Sequence, residues 1–306
     1  MPQKAYSFAL RGYNIRKRAV KGYHFKPLKT KIYHMKEKEK FKRFESASEQ
    51  VLPEGLPVIA RIDGNCFSTL TEKYFEKPFD EKFEKLMNQA GRGVMEYCSP
   101  SELGYIQSDE ISLLIPPSYK DNESRFLAGR TQKLASLLAG HASARFTNKF
   151  EREPVAFDAR VFAIPEHEII NYFDHRQQDA WNNCLHSTAF YEIAKKHNRD
   201  CAHDWLQNTS NSEKQELLFT EFDINPNDIP THRKRGRCLR RINQTHDIED
   251  WIDNKEKLNR LIENGYVEEG QQVERSHIEL DEEIPIFRKN RRYIDYTWQK
   301  PIPGVA

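Results

Sequence analysis

No stretch of this chain is apolar for long enough to cross a bilayer, so no membrane partner is expected. Cysteine is scarce and unpatterned. Cys66, Cys98, Cys184, Cys201 and Cys238 are odd in number and include no Cys-x-x-Cys. That excludes a disulfide scaffold, argues against zinc, and points to reduced thiols inside a cell. The first 36 residues contain no Asp or Glu. They hold instead Arg11, Arg16, Lys17, Arg18, Lys21, Lys26, Lys29 and Lys31 among Tyr6, Tyr13, Tyr23 and Tyr33. Three readings stay open: a mitochondrial transit peptide if the protein is eukaryotic (otherwise it is cytoplasmic), an arm that binds RNA phosphates, or a solvated basic tail. The formal net charge of +2 hides an asymmetry. Residues 1–50 carry 14 Lys/Arg against 4 Asp/Glu, whereas the remainder carries 34 against 42. At 306 residues and 38% hydrophobic, the chain can bury an ample core in one or two domains.

What is present centres on two stretches. Val58-Ile59-Ala60-Arg61-Ile62-Asp63-Gly64 is an apolar run that stops at Asp-Gly, and Tyr105–Ile115 reads as a hairpin whose turn carries Ser108, Asp109 and Glu110. If the two strands are neighbours, Asp63 and Asp109 approach closely. Paired carboxylates repel unless a cation sits between them, and Mg²⁺ serves where the substrate brings phosphates. Either Asp alone is equally a turn residue; the pair, with Ser108 and Glu110 beside it, favours a metal site. Glu110 follows Asp109 in a strand, so it either points away or supports catalysis.

The surroundings predict a helix over 80–97 with Asp80 at its N-cap, a helix over roughly 122–149, and a strand over 156–164. The order is βαββαβ, the ferredoxin-like unit used by the polymerase palm and by nucleotidyl cyclases, so the expected class is α+β with a C-terminal helix and strand extension. Fold alone implies no chemistry; the placed carboxylates do.

At this point the chain resembles a known family, the tRNA-His guanylyltransferases and Thg1-like proteins. The resemblance rests on Arg61-Ile62-Asp63-Gly64 with Phe67, Lys77-Pro78-Phe79-Asp80, Gln107–Ser112, Phe157-Asp158-Ala159-Arg160-Val161, Arg176-Gln177-Gln178-Asp179, and Asn225–Thr231 leading to Lys234-Arg235-Gly236. It covers residues 33 to 241. It implies a palm-like enzyme that adds nucleotides 3′→5′ to the 5′ end of tRNA, with two Mg²⁺ ions, GTP and ATP as nucleotides, and a homotetrameric assembly. Asp63 and Asp109 would bind the metals and act in catalysis with Glu110, and the Gly64 carbonyl would complete the metal set. Nucleotide contacts would come from Asp63, Gly64, Asn65, Cys66, Phe67, Ser68, Lys77, Asp80, Ser108 and Asp109. Arg130 and Lys133, read as neighbours on one helix face, join them through matching family positions. tRNA contacts would come from Arg176, Asp179, Asn183, Lys234 and Arg235. Where guanylyltransferases proper carry His-Ile-Asn-Asn, this chain reads Trp181-Asn182-Asn183-Cys184. That departure points to the Thg1-like branch, which repairs 5′-truncated tRNA against a template. Addition of a guanylate to tRNA-His is the alternative; a cyclase-type enzyme and a non-catalytic RNA-binding protein are further ones.

Three domains are expected: a basic extension 1–36, a palm-like core 37–165, and a C-terminal part 166–306 that contacts tRNA and nucleotide. Residues 36–49 read as a charged helix edged by Met35, Phe41 and Phe44. The remaining expectations are a helix over 175–196, a loop over 198–215 and a strand over 217–224. Thr245–Gly265 reads as one helix, with Thr245 as its N-cap. The run 232–241 holds Arg233, Lys234, Arg235, Arg237, Arg240 and Arg241. So dense a cluster predicts a polyanion contact. Residues 287–298, basic and aromatic, would stack bases or form a strand between subunits.

Overall fold

The computed structural model describes residues 37–117, 125–252 and 254–295. The basic extension 1–36, Met35 included, lies outside them, as do residues 122–124 of the expected second helix and Trp298.

By contacts the chain forms two compact units, residues 1–48 and 49–306. The first contributes helix α1 (Glu37–Ser46), on which Phe41 and Phe44 are exposed. In the second, strand β1 (Val58–Gly64) is followed by α2 (Phe67–Tyr74) and α3 (Glu81–Tyr97). The hairpin is β2 (Leu103–Gln107) and β3 (Glu110–Ile115), with Ser108 and Asp109 as its turn. Then come α4 (Thr131–Phe150), β4 (Phe157–Ala163) and the long α5 (Ile169–Lys196). Next are α6 (Arg199–Leu206), α7 (Asn211–Phe222) and the short α8 (Thr231–Arg235). Strand β5 (Arg237–Asp247), α9 (Ile248–Trp251), α10 (Lys255–Glu263), β6 (Gln272–Asp281) and α11 (Arg292–Asp295) complete the described chain.

The sheet order is β4-β1-β3-β2-β5-β6, every pair antiparallel. Its first four strands are the ferredoxin-like arrangement that the βαββαβ order predicts. Alternation along β1 divides the core. Val58, Ala60 and Ile62 face α3 and α4, where Met87, Val94, Leu138 and Phe146 are buried. Ile59 points the other way with Leu103, Tyr105 and Leu114, under Phe173 of α5 and Phe287. Each such side chain, fully buried, contributes roughly 1.5–3 kcal/mol. A third cluster joins α5 to α6 and α7 through Leu185, Ile193, Ala202 and Leu218.

Several expectations are corrected. The second helix begins at Thr131, because Leu127 and Ala128 adopt positive φ and form only a 3₁₀ turn. The fifth helix begins at Ile169, before His175. Residues 198–215 are not a loop and 217–224 not a strand. Asn198 caps α6 by accepting from the Cys201 N–H, and Ser210 with Glu213 forms a capping box that starts α7. The apolar run Leu217-Leu218-Phe219 suggested a strand, yet Leu218 is buried while Phe219 is exposed, as a helix surface allows. Thr245–Gly265 is not one helix: β5 continues to Asp247, paired with Gln272, so Thr245 lies in a strand. Phe287 is fully buried between Tyr105 and Tyr293, so it cannot stack on a base.

Candidate active site

The C-terminal end of β1 and the β2–β3 turn meet through one backbone hydrogen bond, from Gly64 N–H to the Asp109 carbonyl (3.1 Å). Directly across the ladders, Asp63 pairs with Glu110 on β3 and with Asp158 on β4, and opposed residues share a face. Four carboxylates therefore crowd one corner of the sheet. Burial first, then Asp109, Glu110 and Asp158, pushes the Asp63 carboxyl up to about 6, with only Arg61 opposing. Burial also raises Asp109, against a backbone hydrogen bond and one from Ser108, with Glu110 raising it further and Lys77 opposing. Asp158 carries no expected role, although its motif was visible at the start of a strand; the register alone puts it beside Asp63.

Glu110 is not a free member of this group. Arg176 of α5 grips it with two nitrogens, Nε to Oε1 at 2.8 Å and Nη2 to Oε2. Ser112 donates to the same carboxylate (3.2 Å). The Arg176 side chain is 12% exposed and also reaches Asp179 (2.6 Å). Glu110, Arg176 and Asp179, expected in catalysis and RNA contact, form an internal ion-pair chain that ties α5 to the sheet.

A short loop after β1 leads into α2. Cys66, at φ 61°, is the N-cap of α2 and makes no side-chain cap bond, so no side chain competes for the helix N-terminus. Asn65, Cys66 and Ser68 are exposed, but Phe67 is core, its ring against Phe83, Phe146 and Phe157. A Cβ on Gly64 would stand 2.4 Å from that ring. The glycine is required by packing beneath the loop as well as by any phosphate above it.

Beside Ser108 opens a cleft walled by Phe75–Asp80, by Asn183 and Ser187 of α5, and by His232 and Arg233. Lys77 lies in this wall, half-buried, its ammonium donating to the Thr71 hydroxyl (2.6 Å). Burial lowers it, with Glu72 and Asp109 opposing. Asp80 is the α3 N-cap, accepting from the N–H groups of Lys82 (2.7 Å), Phe83 (3.1 Å) and Glu76 (2.9 Å). Burial works against its charged form, but those three donors hold it below the usual carboxylate range. His232 and Arg233 both pair with Glu84.

Arg130 and Lys133 are not brought here. Arg130 is the N-cap of α4, bridged to Val51 and paired with Glu49 (2.9 Å). It is the far end of α4, the one next to Phe157 and Gly64, that lies near the carboxylates. Twenty residues of helix, about 30 Å, separate the two ends. Most of the dense cations of 232–241 are also turned inward. Arg237 is 3% exposed and bonds Asn88 and the Glu84 carbonyl. Arg240 stacks on Tyr293 at 3.7 Å, and Arg241 donates to the Ser101 and Met95 carbonyls. Lys234 reaches the Asn227 carbonyl, and Arg235 that of Ile284 (3.5 Å). Four of the six cations are thereby structural. Lys234 and Arg235 instead border a second hollow with Trp181, Gln178 and Arg288.

The donor set fits a hard divalent cation: two carboxylates that no cationic side chain among the described residues bonds, beside the Gly64 backbone. Among the described residues, no three His, Cys, Asp or Glu converge on a common metal point.

An antiparallel 4-1-3-2 sheet with acids at the end of β1 and at the hairpin turn defines a palm-like α+β protein. The chain belongs to the tRNA-His guanylyltransferase (Thg1) family. Residues 38–165 match the family model described as tRNAHis guanylyltransferase, and 167–289 match the Thg1 C terminal domain. The tRNA(His) guanylyltransferase of Candida glabrata is 33% identical, the match covering 66% of this chain and 88% of that one. That of Schizosaccharomyces pombe is 33% identical over 65% and 77%. A bacterial tRNA(His) guanylyltransferase (Thg1)-like protein solved with ATP superposes with TM-score 0.68 at 31% identity, covering 86% of this chain and 99% of its own. The tRNA(His) guanylyltransferase of Saccharomyces cerevisiae gives TM-score 0.58 at 28% identity, over 65% and 91%.

Proposed function

We propose that the protein is a nucleotidyltransferase that adds nucleotides 3′→5′ to the 5′ end of tRNA, and that it repairs truncated ends against a template. The observation that carries this is the junction of Gly64 with Asp109, which joins both acidic motifs beside the uncapped N-terminus of α2. Asp63, Asp109 and the Gly64 carbonyl would hold two Mg²⁺ ions. Bound there, the ions supply charge neutralisation for the triphosphate and acidify the attacking hydroxyl. The chain's own groups do the rest. The loop 64–68 and the start of α2 present N–H groups to phosphate oxygens. Lys77 adds a cation beside the cleft, and the Arg176–Glu110 pair keeps α5 and the cleft wall in place. ATP and GTP are the proposed nucleotides, in keeping with bacterial relatives solved with each.

Guanylate addition to tRNA-His is the second reading, favoured by the names of the relatives. Repair is preferred because Trp181 and the buried Cys184 stand where guanylyltransferases carry His and Asn. The family's tetramer and an intracellular location, consistent with free cysteines throughout the described residues, complete the proposal.

The test supplies Mg²⁺, ATP and labelled GTP with either a tRNA lacking its first nucleotide or a full-length tRNA-His. Preferential extension of the truncated RNA is expected; preferential labelling of tRNA-His would select guanylylation. Asp63→Ala and Asp109→Ala are each expected to lower transfer by at least a thousandfold with far-UV circular dichroism unchanged. Appreciable activity in either would overturn the site.

A further inference from the structure

Most cations of the run 232–241 are bound internally, and a separate group of cations lines another part of the folded body. An open groove of about 400 Å³ lies on the helix side of the sheet, lined by Tyr74, Phe75, Lys82, Lys85, Leu86, Gln89, Lys149, Phe150 and Arg152. Four of its lining residues are cationic and none is acidic, on a chain whose residues 51–306 carry an excess of Asp and Glu. Lys85 meets Glu81 at 3.8 Å, both well exposed, a contact of little worth. Lys82, Lys149 and Arg152 are exposed and form no ion pair with any described residue. The neighbouring acid Glu153 is already held by Lys73 (3.1 Å) and the Tyr74 hydroxyl (3.0 Å).

The floor is rigid and aromatic. Phe75 stacks on Phe150 with centroids 5.6 Å apart, and Tyr74 meets Phe150 edge-on at 5.3 Å. The cations come from different elements, Lys82 and Lys85 from the start of α3, Lys149 from the end of α4 and Arg152 from the segment just after it. Beyond the exposed Lys85–Glu81 contact and the nearby Asp80, no described acid offsets their mutual repulsion. Phe75 belongs both to this groove and to the wall of the cleft beside Ser108. A polyanion lying in the groove therefore passes over the 75–80 loop within reach of the nucleotide cleft.

We propose that this groove is a phosphate-backbone site for the RNA substrate, which holds the strand through Lys82, Lys149 and Arg152 while its 5′ end lies in the cleft. The inference rests on the RNA substrate proposed above. Sequence-independent phosphate contact suits an enzyme that accepts RNA ends by shape.

The test is binding of a 5′-truncated tRNA transcript, followed by anisotropy between about 50 and 300 mM salt, with assembly mass monitored in parallel. The variant is Lys82→Gln/Lys149→Gln/Arg152→Gln, which keeps the side-chain stems and removes three charges. Binding at 100 mM salt is expected to weaken by roughly tenfold or more, and the slope of log K against log salt to fall by about 2 to 3. Binding of ATP and GTP without RNA is expected to stay unchanged. The swap Lys82→Arg/Lys149→Arg/Arg152→Lys is expected to restore both affinity and slope. An unaltered slope in the Gln variant would overturn the groove while leaving the RNA substrate standing. If the Gln variant bound RNA as before but formed a smaller assembly, the groove would be an interface between copies instead. Wild-type protein that bound no RNA would remove the substrate proposal and this inference together.

Discussion

Gly64 carries two demands at once, a close backbone at the carboxylate corner and a Phe67 ring packed beneath it. That ring is walled in by Phe83, Phe146 and Phe157 and cannot swing aside. Gly64→Ala is therefore expected to cost about 1–3 kcal/mol in urea unfolding and to impair transfer. Glu102 offers a pH readout away from the site. Burial pushes its carboxyl up to about 7, with Arg241 opposing, and its Oε2 has no hydrogen-bond partner among the described residues. A carboxyl harder to ionise in the folded chain than near its ordinary 4.5 binds its proton more tightly when folded. Its contribution is intact below that value and is lost as pH rises toward 7. Glu102→Gln should raise Tm relative to wild type progressively between pH 4.5 and 7, with no further gain above; a difference independent of pH would contradict this.

At the scale of elements, α5 ties the sheet to the C-terminal half. Its anchor is the Arg176–Glu110 pair, whose side chains are 12% and 8% exposed. Removing one partner strands a buried charge, so Arg176→Ala is expected to destabilise by about 3–5 kcal/mol in chemical denaturation. Arg176→Met with Glu110→Met removes both charges and should recover most of that loss. A single-variant cost below about 1 kcal/mol would mean that the pair is solvated rather than buried. The same helix buries Gln177, which donates to the Pro285 carbonyl (2.9 Å) and accepts from the Phe287 N–H (2.9 Å). Those bonds hold the returning C-terminal segment over β2.

On the scale of the whole molecule, the two family models divide the chain near residue 166, yet the sheet does not stop there. Strand β5 pairs with the fully buried β2, and Tyr105 of β2 donates its hydroxyl to the Arg235 carbonyl (2.7 Å). A fragment of residues 37–165 would expose that strand edge and the apolar face that Phe173 and Phe287 cover. It is expected to aggregate and to show no cooperative thermal transition, whereas the full chain unfolds cooperatively. A soluble, cooperatively folding fragment would make the two halves separate domains.

The βαββαβ core was legible because its signals are local: alternating apolar residues in β1, an Asp cap on α3, a two-residue hairpin turn. The Asp63/Asp109 corner was legible for the same reason, each acid closing an apolar strand. The tertiary structure alone decided what non-local pairing decides. It placed Asp158 opposite Asp63, gave Glu110 to Arg176 across 66 residues, and set Arg130 at the opposite end of α4 from the carboxylates. It also gave most cations of the run 232–241 internal partners, while Lys234 and Arg235 border an open hollow. A guanidinium reads as surface charge in a sequence, but in the fold Arg237 and Arg241 satisfy buried carbonyls. The sequence by itself determined which residues form strands around paired acids. Which cations face outward was settled only by packing, because hydrogen-bond partners for long side chains come from distant parts of the chain.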